Sequence, residues 1–201
     1  SIMFVVFAVF CPLVAAANLV GNRGPLFFGQ ERVGKGGRVF RILKFRTMPV
    51  DPGGAERGGT WTGVADPRVT TLGRLLRRTH LDELPQLWNV LRGDMSLVGP
   101  RPERPEFVPM LELAIPHYRD RLLVRPGITG FAQVQRAPDT DIDSVRIKLA
   151  YDLHYVQALG FWFDTRIAWA TAFKMAGASF PLLRRLFRFP ERETIESRYR
   201  H

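Results

Sequence analysis

In Thr79–Gln86, THLDELPQ, two carboxylates stand side by side, Asp82 and Glu83, just after the arginine-rich run GRLLRR. Such a pair has two physical uses. In a helix first turn it gains roughly 0.3–1 kcal/mol from the macrodipole; beside cations it can do chemistry on a phosphate. The cations are present. Arg101 lies in GPRPERPE with a proline on each side, Arg125 opens RPG, and Lys44 and Arg46 close a strand in KFRTM. Basic residues in stiffened turns are poor core material and good phosphate clamps, because a guanidinium grips phosphate oxygens bidentately. A helix N-terminus beside them favours anions too. Each cation also has an ordinary alternative, as a salt bridge or a surface charge.

Two other patterns lead away from chemistry. GQERVGKG, Gly29 to Gly36, fits G-x-x-x-x-G-K but has no Ser or Thr next, and a strand rather than a helix follows. A phosphate loop needs both, so this is a hairpin turn. LGRLLRRTHLDELPQLWNVL resembles two helices joined by a turn, as in some DNA-binding modules. The position where such a helix reads bases holds Asp82, Glu83, Leu84 and Pro85, whose carboxylates repel a phosphate backbone. No nucleic-acid partner is expected.

The elements that must position these residues follow from composition and period. With 201 residues, 46% of them hydrophobic, the chain can bury a core. A formal net charge of +10 asks for an anionic partner. One cysteine, Cys11, excludes an intrachain disulfide and a cysteine zinc site. PLFF and RVFRILKF read as two strands around a glycine turn, and Asp51 to Pro67 as an exposed loop. Two helices follow. In the second, Leu84, Leu87, Trp88 and Leu91 fall at i, i+3, i+4, i+7 and predict one apolar face, with Pro85 in its first turn and Gly93 at its end. MSLVGPRPERPEF reads as an extended loop, PEFVPMLELAIPHYRDRLL as a broken helix, RPGITGFAQVQ as a turn and short strand, and residues 141–179 as mainly helical. The tail FPLLRRLFRFPERE mixes Phe and Leu with Arg, which suits a membrane interface or a terminal helix with a solvated basic face.

Residues 2–20 carry no charge. As a helix they would reach about 28 Å, close to the ~30 Å of a bilayer's hydrocarbon. Pro12 removes a hydrogen bond and clashes with the carbonyl of Ala8, which predicts a kink. A kinked span, a buried core helix and a helix that enters the bilayer and returns on the same side all fit. The apolar run begins at once after Ser1, which predicts a natural protein longer at the N-terminus.

The blocks GPLFFGQERVGKGGRVFRILKFRTM, DPRVTTLGRLLRRTHLDELPQLWNVLRGDMSLVGPRP and RPGITGFAQV, extending into KLAYDLHYV and the D-x-R-I around Asp164, resemble the bacterial sugar transferase family, the monotopic phosphoglycosyl transferases. The resemblance covers about residues 5–175. It implies transfer of a sugar 1-phosphate from a UDP-sugar to undecaprenyl phosphate, starting assembly of a cell-surface glycan. It also implies Asp82 as covalent nucleophile, Glu83 as a ligand or organiser of Mg²⁺, and Arg101 as a phosphate anchor, with Arg125, Lys44 and Arg46 in related roles. The fold it implies is α+β and helix-rich, with a small β-hairpin, interfacial amphipathic helices and a re-entrant membrane helix. That helix turns at a small residue followed by proline, here Cys11-Pro12. The expected organisation is one catalytic domain over 1–201: membrane helix 1–20, core 21–175, basic interfacial tail 176–201. It would sit on the bacterial inner membrane with its active site on the cytosolic face, in contact with membrane lipid, and a homo-oligomer stays open. A non-enzymatic basic membrane scaffold is the alternative.

Overall fold

The computed structural model describes residues 2–22, 24–49 and 68–199, and in the first helix the side chains of residues 9–18 and 21. The loop expected at Asp51 to Pro67 lies outside them. The chain forms two compact units, one from residues 1–30 and 41–91, the other from 31–40 and 92–201.

The first unit opens with α1 (Ile2–Gly21), which runs through Pro12 as one helix. Among the residues whose side chains are described, 9–18 and 21 in α1, no helix is long and apolar enough to cross a membrane. Strands β1 (Phe27–Val33) and β2 (Val39–Phe45) pair as the expected hairpin, whose tip, residues 31–40, is counted with the second unit. Its turn places Gly36 at φ 67°, in the left-handed region that glycine enters without steric cost. GKGG is therefore a reversal of the chain, as its pattern indicated. β1 is longer than PLFF suggested, because Gly29–Val33 pair as well. Then come α2 (Thr71–Arg78), capped by the Thr70 hydroxyl accepting from Gly73 N–H at 2.9 Å, and α3 (Gln86–Leu91). Val14, Phe45 and Leu76 form this unit's core, with Cys11, Leu26, Leu72, Leu81 and Leu84 packed on it. Gly73 is required where α2 crosses the chain after β2: a Cβ there would stand 2.1 Å from the Thr47 carbonyl oxygen.

The apolar face expected of α3 is not the buried one. Gln86 and Asn89 are buried, whereas Trp88 and Leu91 are more than half exposed. Hydrogen bonding decides this. Asn89 turns inward and pairs with the edge of β2, accepting from Leu43 N–H at 3.0 Å and donating to the Arg41 carbonyl at 2.8 Å.

The second unit contains a two-stranded parallel sheet, β3 (Ser96–Val98) beside β4 (Gly127–Thr129), with Ser96 opposite Gly127 and Val98 opposite Thr129. β3 replaces part of a predicted loop, since pairing between segments about thirty residues apart leaves no local pattern. RPGITGFAQVQ, expected as a turn and short strand, holds β4 and then α5 (Phe131–Gln135); most residues of α5 are buried, so no alternation or stripe marks it. The broken helix is α4 (Val108–Ala114) and a 3-10 stretch Tyr118–Leu123. α6 (Ile142–Ala158) starts with an Asp141–Ser144 capping box. It packs two ways: Val145, Leu149 and Leu153 join α4, while Ala150, Tyr151 and Tyr155 join α7 (Phe161–Met175). α8 (Phe180–Leu186) and α9 (Arg192–Arg198) close this core with Leu183 and Ile195.

Candidate active site

The acidic pair is built by the way α2 stops. Thr79 caps α2 with its hydroxyl on the Leu75 carbonyl at 2.8 Å, and His80 then takes φ 56°, left-handed and costly for a residue with a Cβ. That reversal starts a 3-10 turn, Leu81–Glu83, which buries Asp82 to 8% exposure. Asp82 and Glu83 thus sit in a tight turn before α3 begins at Gln86.

From β2, Lys44 reaches Glu83 with Nζ 2.7 Å from Oε1, both side chains being largely enclosed. Burial raises the pKa of Asp82. Lys44 is the strongest influence in the opposite direction, the Glu83 charge adds to the rise, and Arg77 and His80 also lower it. Arg77 is tied by Nε to the Thr47 hydroxyl at 3.0 Å. The chain therefore brings together Asp82, Glu83 and Lys44, a buried carboxylate beside a paired carboxylate and ammonium.

Arg46, two residues on, is 7% exposed and turned to the end of α1. Its Nη2 donates to the Asn22 carbonyl, and Asn22 Nδ2 donates back to the Arg46 carbonyl at 2.8 Å. Nε and Nη1 have no hydrogen-bond partner among the described residues, and burial lowers the pKa of the group. Cys11 packs on the core cluster of the same unit, next to Pro12 inside α1.

Arg101 and Arg125 belong to the second unit. Arg125 is exposed just before β4. Arg101 is half-buried in the proline loop after β3, and its carbonyl accepts from Arg121 Nη2 at 2.7 Å. Sequence reasoning missed Arg121 and its partners. Arg121 pairs with Asp152 at 2.8 Å, the two side chains being 1% and 2% exposed, and Lys148 pairs with Glu103 at 2.5 Å and Asp139 at 2.8 Å. Burial opposes charge on Arg121, but Asp152, Tyr118 and Glu103 outweigh it and hold its pKa above the ordinary value. Glu103, despite burial, is pulled down to about 2 by Lys148 and Arg121. One signal was available: Asp152 lies in LAYDLHYV, a charge inside an apolar run.

Among the described residues no three His, Cys, Asp or Glu side chains gather as a metal cage. Mg²⁺ needs no such cage, since it takes one or two carboxylates and fills its shell with water and substrate phosphate oxygens, and Glu83 could supply a carboxylate.

Comparison with known proteins gives this geometry its setting. The family model described as bacterial sugar transferase matches residues 1–178. An Aeromonas hydrophila UDP-N-acetylgalactosamine-undecaprenyl-phosphate N-acetylgalactosaminephosphotransferase is 44% identical over 165 residues, covering 81% of this chain and 38% of the relative. UDP-glucose:undecaprenyl-phosphate glucose-1-phosphate transferases of Caulobacter vibrioides and Escherichia coli K12 are 43% and 38% identical, covering 82% and 86% of this chain. The match spans 62% and 37% of those two relatives, so the chain corresponds to part of each. The chain belongs to the bacterial sugar transferase family.

Proposed function

We propose that the chain is the catalytic region of a phosphoglycosyl transferase, which moves a sugar 1-phosphate from a UDP-sugar to undecaprenyl phosphate and so initiates polysaccharide synthesis. The observation that carries this reading is the buried Asp82 carboxylate beside the Lys44–Glu83 pair, in a family whose relatives bear that activity in their names. In the first step an Asp82 oxygen attacks the sugar-side phosphorus. The bond from that phosphorus to the bridging oxygen breaks, UMP leaves with the electron pair, and an acyl phosphate joins sugar phosphate to enzyme. In the second step an oxygen of undecaprenyl phosphate attacks the same phosphorus and expels the carboxylate. Asp82 returns unchanged, and a lipid diphosphate sugar remains.

Each residue has a physical task. Lys44 favours the ionised form of Asp82 and lessens the repulsion met by an incoming diphosphate. Glu83 would hold Mg²⁺, which when bound neutralises pyrophosphate charge. Arg101 and Arg125 are assigned to phosphate oxygens, the first by its place in the proline block, whereas the Arg46 guanidinium is turned to the Asn22 carbonyl at the end of α1. Residues 1–201 act as one catalytic domain in this reading. α1 enters the bilayer and returns at Cys11-Pro12, where proline withholds the N–H that the carbonyl four residues earlier would accept. The active site then works at the cytosolic face of the inner membrane, where a water-borne donor and a lipid phosphate can both reach it.

The test is capture of label. With a UDP-sugar labelled at the sugar-side phosphate and no lipid acceptor, the native chain is expected to become labelled and release UMP. Asp82→Asn should do neither. UMP release at the native rate by that variant would remove the mechanism, and its absence in the native chain with acceptor added would leave a lipid-binding scaffold.

A further inference from the structure

The loop carrying Arg101 offers four consecutive carbonyls, and each accepts a hydrogen bond from elsewhere in the second unit. Gly127 N–H donates to Pro100 at 3.0 Å, Arg121 Nη2 to Arg101 at 2.7 Å, Arg32 Nη1 to Pro102 at 3.1 Å and Val33 N–H to Glu103 at 2.9 Å. Prolines at 100, 102 and 105 strip the loop of N–H groups. It cannot tie itself down with a ladder of its own, so outside donors must fix it.

Arg121 is the donor with the most constrained geometry. Nε and Nη2 hold Asp152 at 3.0 and 2.8 Å, and Nη1 donates to the Tyr118 hydroxyl at 3.1 Å, so the guanidinium plane is set before it meets the Arg101 carbonyl. Stability does not explain such an arrangement. Replacing a buried ion pair by well-packed apolar groups is often neutral or stabilising. Direction does explain it, because a planar fork serves two partners at fixed angles where an ammonium cannot.

Arg101 needs that rigidity. Arg32, lowered to about 10 by burial and then by Arg101, and Lys174, lowered by burial and then by Arg101, both stand within its field. Glu103 and Glu106 act on Arg32 in the opposite sense, so Arg101 stands in a loop where both signs of charge meet. We propose that Arg121, oriented by Asp152, is a positioning residue that fixes the backbone at Arg101 so that the Arg101 guanidinium is held for a phosphate of the nucleotide donor. The proposal rests on the reading of Arg101 as a phosphate anchor.

The experiment measures UDP affinity by calorimetry on the full chain in detergent micelles, with thermal unfolding as a check on folding. Arg101→Gln is expected to weaken UDP binding about tenfold or more, and Arg121→Lys, which keeps the charge opposite Asp152 but loses the fork, by a similar factor. The double variant should bind no more weakly than Arg101→Gln alone, since Arg121 acts through Arg101. Asp152→Asn, nearly isosteric, supplies a second arm should Arg121→Lys not fold. Native affinity in either folded variant, or losses that multiply in the double variant, would overturn the positioning role. Native affinity in Arg101→Gln would instead overturn the anchor reading, a result distinct from the first.

Discussion

A carboxylate that attacks phosphorus must be ionised, and burial at Asp82 works against ionisation. Two consequences follow at the scale of this residue. The acid limb of the kcat/KM profile is expected above the ordinary carboxylate range. Lys44→Met, which removes the largest opposing influence, should move that limb to higher pH as well as slow turnover. An unmoved limb would show that Asp82 is not the group being titrated. The second consequence concerns stability. A folded pKa above the ordinary value of 3.8 means that ionised Asp82 costs stability at neutral pH. The cost fades as pH falls through the raised pKa and is gone below 3.8. Asp82→Asn should therefore unfold at a higher temperature than the native chain at pH 7.5, with the gap closing on acidification. A variant less stable at pH 7.5 would mean that the surrounding cations already outweigh burial.

Among the elements, α3 matters because it is fastened to the strand that carries Lys44. Asn89, 1% exposed, substitutes for a neighbouring strand by pairing with Leu43 N–H and the Arg41 carbonyl. Asn89→Ala takes the partner from both of these part-buried groups, at a cost on the order of 1–3 kcal/mol. Asn89→Asp retains the acceptor for Leu43 N–H but sets a buried carboxylate oxygen against the Arg41 carbonyl, and should cost more. Thermal unfolding ranks them, and equal losses would show that shape, not pairing, fixes α3. Asn89 also shows where sequence reading stops. The hairpin and the helix pair were legible because period and glycines are local signals, whereas Asp82 and Glu83, read at a helix start, lie in a 3-10 turn ahead of α3. The face that α3 buries was not legible, because it is chosen by a strand about forty-six residues away. For the same reason Arg121 looks like a surface charge until the fold joins it to Asp152, 31 residues on. β3 and β4 are too short for alternation to mark them, and only their pairing reveals them as strands.

For the molecule as a whole, the net charge of +10 and the exposed aromatics call for the same partner. The outward face of α7 is apolar from end to end. Phe161 and Trp162 are about three-quarters exposed, and Trp169, Phe173 and Met175 follow along the helix, while Phe163, Ile167 and Ala170 face the core. On α8, exposed Leu182, Arg185 and Leu186 share one face at i, i+3, i+4. Water is a poor neighbour for so much apolar surface. Tryptophan belts lie at the headgroup level, and each nearby arginine gains about 1 kcal/mol from anionic lipid. A lipid surface rich in phosphatidylglycerol satisfies both needs, where a second copy of this basic chain would bring more positive charge to the same face. Brominated lipid in such vesicles is expected to quench the intrinsic tryptophan fluorescence strongly. Trp162→Phe with Trp169→Phe should remove the larger share of that quenching, although Trp61 and Trp88 remain. If the double variant is quenched as strongly as the native chain, the α7 face does not lie on lipid. If quenching is weak in both and chemical cross-linking yields dimers, a second copy covers it instead.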